Sequence, residues 1–419
     1  MSTRIVANRR LLLPTLSLAH ISVGILNTLP GASLPQLAHN TQIDLTVAGE
    51  MFTASSSGFL LGALLAGILS KQMKPKLMLL LGLALLAAGS LATPLSPAFT
   101  LLLGGQFLKG LGIGFINIGL NTILTLSFQE TLSEKLNIIH GMYGLGALLG
   151  PLLLAGGLQF LGSLTFAYLL GTLASVGTIA LLFCLNLPAA PRPVPAQRSS
   201  QAASAAELRK VLGQGLLWMM ALQIGLYASA EIGFGNWIVT IVSKGAGISL
   251  GLAAPVATTF YLGLTIGRLG GSQLLKHARI SEMRLLYSAL FGGTLIGLLV
   301  ACFPGQLLVS YVGSALIGCC YGPLFPSIMA MVSRRFVHII GPVSSLMMVS
   351  NGLTTMVVPM GMGLLLPWLG INWVIAIPAL LCLAMFVPLV LADHWQRTTL
   401  QSPARQHTIT VAAKTTGVL

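Results

Sequence analysis

Long apolar stretches alternate with short polar intervals along the whole chain, and the length of the apolar stretches is the first structural information the sequence carries. A helix needs about 20 mainly apolar residues to cross the hydrocarbon core of a bilayer. Twelve stretches of that order occur, at about 12–35, 48–69, 76–94, 98–126, 136–157, 161–186, 211–242, 250–273, 284–303, 306–331, 340–366 and 372–392. They are continuous and rich in Leu, Ala and Gly, without the period-two alternation of membrane β-strands. The expected fold class is therefore an all-α polytopic membrane protein with twelve transmembrane helices.

Composition removes the soluble alternative. Only 7% of the 419 residues are charged, against about 25% in soluble domains. The net charge of +14 does not point to nucleic acid, because the basic residues sit in short runs between apolar segments and not on one polar face. Arg4, Arg9 and Arg10 precede an apolar run that continues to about Leu37, which is longer than the roughly 7–15 residues of a secretory signal core. It is read as a retained first helix. The cysteines Cys184, Cys302, Cys319, Cys320 and Cys382 all lie in apolar stretches without zinc-ligand spacing. No metal, cofactor or phosphate-binding motif occurs, and no nucleophile triad, so no enzymatic activity is expected.

Topology follows from the basic residues. Of the 22 lysines and arginines, Lys109 and Arg268 fall within spans and Lys244 on one side, and the other 19 share the opposite side with both termini. Basic loops stay cytoplasmic, so both termini are expected in the cytoplasm of a plasma (inner) membrane. A polar stretch with Pro-Ala-Ala-Pro-Arg-Pro and a Ser/Ala/Gln run divides the helices six and six. The expected organisation is an N-terminal half (1–187), a cytoplasmic linker (188–210), a C-terminal half (211–393) and a disordered cytoplasmic tail (394–419). A weak repeat supports two halves. Tyr143-Gly144 before Pro151 in the fifth helix matches Asn351-Gly352 before Pro359 in the eleventh, an offset of 208 residues.

On these features the chain resembles the major facilitator superfamily over nearly its full length. The interval Gly67-Ile-Leu-Ser-Lys71-Gln-Met-Lys74-Pro-Lys76 is similar to the family's Gly-x-x-x-Asp-Arg-x-Gly-Arg loop, with Ser70 near the expected Asp. A narrower resemblance is to the fucose–galactose–glucose proton symporters and their glucose-transporter-like relatives. It rests on Gly110-x-Gly112-x-Gly114-x-x-Asn117-x3-Asn121, Asn137-x2-His140-x2-Tyr143-Gly144, Tyr227-x2-Ala230-Glu231-x-Gly233 and Gly322-Pro323-x-Phe325-Pro326. The resemblance implies two six-helix repeats around a midplane site, with Lys71, Lys74 and Arg268 in the gating loops. It also implies an acid on the first helix, whereas this chain has none between Met1 and Ile43.

An ionisable residue at membrane depth needs a partner or a wet cavity. Glu231 is the sharpest case, as a substrate hydroxyl acceptor, a proton carrier, or a carboxylate pinned to a neighbouring helix. Asn117 and Asn121 share a face of the fourth helix and offer the paired donors and acceptors that sugar hydroxyls require; interhelical bonding is the competing reading. His140 and His20 are candidates for a proton relay. Gln223 and Tyr227 fall on the stripe of Glu231, and Tyr143, Asn236, Trp237 and Asn351 complete the expected substrate site. Lys109 is read as snorkelling or paired with a carboxylate. The function expected is secondary transport of a small polar solute, a sugar, with the proton favoured over sodium as coupling ion. The competing reading is proton-driven efflux of amphipathic compounds. The partners are then solute, ion and bilayer, and the chain is expected to work as a monomer without nucleic acid. Tags at Ser2, within 188–210 and after Leu419 should all be accessible only from the cytoplasm, and Lys244 only from outside. Cleavage of the linker by a protease added to intact cells would reject this topology.

Overall fold

Without water in the hydrocarbon core, each backbone N–H and C=O needs a partner within its own segment, so the apolar stretches fold as helices. The computed structural model describes residues 9–70, 72–128, 131–185, 211–277, 280–303, 305–336 and 340–400. Twelve helices in it are long and apolar enough to cross a membrane. These are α1 (Leu11–Ala32), α2 (Leu45–Leu69), α3 (Pro75–Leu95), α4 (Phe99–Ser127), α5 (Glu134–Leu161), α6 (Thr165–Cys184), α7 (Gly215–Gly245), α8 (Leu250–Lys276), α9 (Glu282–Cys302), α10 (Leu307–Arg335), α11 (Val343–Val374) and α12 (Ala376–His394). The expected linker and Lys71 lie outside the described residues.

Local chemistry moves several boundaries. α1 ends before the expected residue 35, because Pro35 starts a separate short helix, Leu34–Asn40. α11 runs past residue 366 to a break at Gly370, whose φ of 71° only glycine adopts without strain. The last helix continues to Leu400, so the segment expected as a tail from residue 394 begins as helix.

The packing repeats with a shift of six helices. α1 lies against α5 as α7 lies against α11, α2 crosses α4 as α8 crosses α10, and α3 contacts α6 as α9 contacts α12. Two of these crossings depend on glycine. A methyl group at Gly114 of α4 would stand 2.7 Å from Phe59 O of α2, and one at Gly318 of α10 would stand 2.6 Å from Leu264 N of α8. Close backbone approach of this kind is a main source of helix association in lipid.

Contacts between the two halves concentrate at the bundle end remote from Cys184 and Gly215, reaching down to the middle. Thr53 Oγ1 of α2 donates to Met356 O of α11 at 2.6 Å. Thr258 Oγ1 of α8 donates to Leu148 O of α5 at 3.1 Å, and Gln159 Nε2 donates to Gly251 O at 3.1 Å. Gly31 sits against Asn236, with room for no side chain, since a Cβ there would lie 2.7 Å from Asn236 Cα. Toward the other end Asn121, Asn137 and His140 are exposed. The bundle is thus closed at one end and open at the end that carries the connection between halves. Gly31→Val should prevent this closure. A cysteine at Ser55, in a background lacking the native cysteines, should then react with an impermeant maleimide from the closed side several times faster than in the parent. An unchanged rate would show that this contact does not hold the end shut.

Candidate functional site

A cavity of about 300 Å³ lies between the halves, walled by α1, α2, α4 and α5 on one side and by α7, α8 and α11 on the other. Helical spacing explains which side chains reach it. On α4, Lys109, Ile113 and Asn117 recur every four residues and form one stripe along the cavity wall. On α1, His20 and Asn27 lie seven apart and face the same way. Tyr143 of α5 and Asn351 of α11, the pair related by the sequence repeat, both line the cavity from their respective halves.

The polar groups are tied together in three places. Asn27 Nδ2 donates to Tyr143 Oη at 2.9 Å, joining α1 to α5. The rings of His20 and His140 meet edge to face with centroids 6.0 Å apart. In the other half Arg268 Nη2 of α8 donates to Glu231 Oε1 of α7 at 3.4 Å, and the two side chains are 34% and 17% exposed. Asn117 Nδ2 returns to its own helix at Ile113 O, 3.1 Å away, which leaves its carbonyl oxygen available to the cavity. Asn236, Tyr261 and Thr355 complete the wall of the second half.

Of the expected residues, His20, Asn117, His140, Tyr143, Glu231, Asn236 and Asn351 come together here. Four others do not line the cavity. Trp237 is buried and donates Nε1 to Pro359 O at 2.9 Å, so it packs α7 onto α11. Gln223 and Tyr227 are buried on the stripe below Glu231; the Gln223 amide has no hydrogen-bond partner among the described residues, and the Tyr227 hydroxyl lies against the Glu231–Arg268 pair. Asn121 is exposed, one turn from Asn117 toward the open end. Arg268 was expected with the basic gating loop and instead turns its guanidinium to Glu231. Lys74 is exposed and stands at the N-cap position of α3, where its side chain makes no capping bond. Phe52, Ser55, Ser56 and Phe59 of α2, none of them among the expected site residues, also line the cavity. The run Ser55-Ser56-Ser57 inside an apolar span was the signal for it.

Two repeats of six helices around a polar cavity define a membrane carrier. The family model for the Major Facilitator Superfamily matches residues 16–347, and the chain belongs to that family. It is accordingly a transporter and not an enzyme. Among curated proteins it is similar to sodium-dependent glucose transporter 1 of Xenopus laevis, 25% identical over 80% of this chain and 72% of that protein. Among solved structures it is similar to the E. coli fucose:proton symporter FucP, with 19% identity over 91% of this chain and 98% of that one at a TM-score of 0.60. It is also similar to an inward-facing bacterial homologue of the human lysosomal transporter Spinster, with 12% identity over 92% and 97% at a TM-score of 0.74.

The Glu231–Arg268 pair predicts a thermodynamic signature. Removing one partner strands the other charge at membrane depth, a loss of about 1–2 kcal/mol once partial exposure is allowed for. Glu231→Gln and Arg268→Gln should each lower Tm, and the double variant should recover more than half of the summed loss. Additive losses would show that the pair does not interact.

Proposed function

We propose that the protein carries a small hydroxylated solute, a sugar, by alternating access of two halves, 1–187 and 211–393, with the proton as coupling ion. The observation that carries this reading is the convergence of amide groups from both halves, Asn117 against Asn236 and Asn351, on one cavity with a carboxylate at Glu231. Amides supply donors and acceptors together, and a ring of hydroxyls needs both. A solute held between the halves is exposed to one side at a time when they rock about it. The names of the fucose:proton symporter and the glucose transporter agree with a sugar-sized polar substrate.

Glu231 is the only acid lining the cavity among the described residues. A proton arriving there competes with Arg268 for the same carboxylate, and His20 and His140 stand along the cavity as relay groups. Sodium fits less well, because a cation at Glu231 would meet the guanidinium charge 3.4 Å from the same oxygen. In this reading Arg268 moves with the coupling event, and Lys71 and Lys74 gate the connection between α2 and α3. The chain acts as a monomer in the plasma membrane, with both termini cytoplasmic.

Proteoliposomes supply the test. Hexose uptake should accelerate with an inward proton gradient and ignore sodium, and Glu231→Gln should abolish the gradient-driven component. Strict sodium dependence without a pH response would overturn the coupling assignment.

A further inference from the structure

One charge on the cavity wall has no part in the mechanism above. Lys109 stands ten residues after Phe99, where α4 begins, which is about 15 Å along the helix axis. The other end of α4, Ser127, is farther still. A lysine stem cannot span such a distance, so the expected snorkelling to an interface does not occur. No carboxylate pairs with it either. Among the described residues Lys109 makes no hydrogen bond and no ion pair, although it is 2% exposed and lines the cavity. A buried ammonium without a counter-charge is costly and at membrane depth marks a functional group.

The charges of the site do not cancel. Arg268 is matched by Glu231, both in the second half. The two histidines lining the cavity carry no obligatory charge. Lys109, on the first half, is therefore the one basic side chain of the site left without a counter-charge among the described residues, and the second half lines the same cavity with the Asn236 and Asn351 amides and with Glu231, already paired to Arg268.

We infer that the physiological substrate is a monoanionic polyhydroxylated solute, a sugar acid, whose carboxylate pairs with Lys109 while its hydroxyls meet the amides of the opposite half. The inference rests on the reading of the cavity as a site for a hydroxylated solute and adds the charge of that solute. One uncompensated cation matches one carboxylate, whereas a sugar phosphate, as a dianion, would bring a second negative charge without a partner.

The test is binding to the purified full-length protein in lipid nanodiscs, comparing glucose with glucuronate, galactose with galacturonate, and glucose with glucose 6-phosphate. Each uronate should bind at least about tenfold more tightly than its hexose, the value of one charge-assisted hydrogen bond in a partly dehydrated site. Lys109→Met should bring the uronate-to-hexose ratio close to one, and Lys109→Arg should keep it well above one, separating charge from shape. Equal affinity for uronate and hexose in the parent protein, or a preference that survives Lys109→Met, would overturn the inference. Tighter binding of the phosphate than of the uronate would replace the monoanion by a dianion and overturn it as well. Hexose binding without a uronate advantage defeats only this inference, whereas failure of every hexose, uronate and phosphate to bind defeats the sugar reading beneath it.

Discussion

Lipid tails are as apolar as leucine, so helices in a bilayer gain little by burying leucine against leucine, and their association depends on how closely their backbones approach. In this protein that approach is set at the crossings of α2 with α4 and of α8 with α10, where glycine leaves space for the neighbouring backbone. The crossings tie each half together on its own. Ionisable side chains at membrane depth are then drawn to the face where the two halves meet, and His20, Lys109, His140 and Glu231 line the cavity there. The cavity between the halves follows from this separation.

Charge is distributed unequally across that cavity. The second half contains a cation and an anion that travel together, because Glu231 and Arg268 sit on adjacent helices of the same half. The first half contributes Lys109 alone. Any rocking of the halves changes the distance between Lys109 and the pair without breaking the pair. Under the proposed function, a carboxylate at Lys109 and a proton at Glu231 would act on different halves, which would give a physical basis for making reorientation depend on both.

Much of the fold was legible because helix length against bilayer thickness is a strong signal, and the two-fold organisation was visible in Tyr143 and Asn351. The two end up on facing walls of the site. The site was legible where a polar residue stood alone at membrane depth, as with Glu231, Asn117 and His140. It was not legible where a side chain's role depends on a partner in another helix. Sequence placed Trp237 beside Glu231 but could not show that its indole is used by Pro359 O, nor that Arg268 reaches Glu231 rather than the loop. Lys109 is not legible for the same reason, since the lack of a carboxylate partner among the described residues is a property of the packed bundle and not of the sequence around the lysine.

The hydrogen bonds that close the bundle share one feature. Thr53 donates from the second helix of the first half to the fifth helix of the other, and Thr258 repeats the arrangement in reverse. Both donors, and Gln159 as well, end on a main-chain carbonyl, at Met356, Leu148 and Gly251. A carbonyl of this kind is present whatever side chain its residue carries. The latch therefore does not depend on the side-chain chemistry of the acceptor at Met356 or Leu148, whereas at Gly251 an added Cβ would stand 3.1 Å from Gln159 Cγ and crowd the donor itself. Closing the bundle and choosing the solute therefore draw on different atoms: main-chain carbonyls for the first, the side chains that line the cavity for the second.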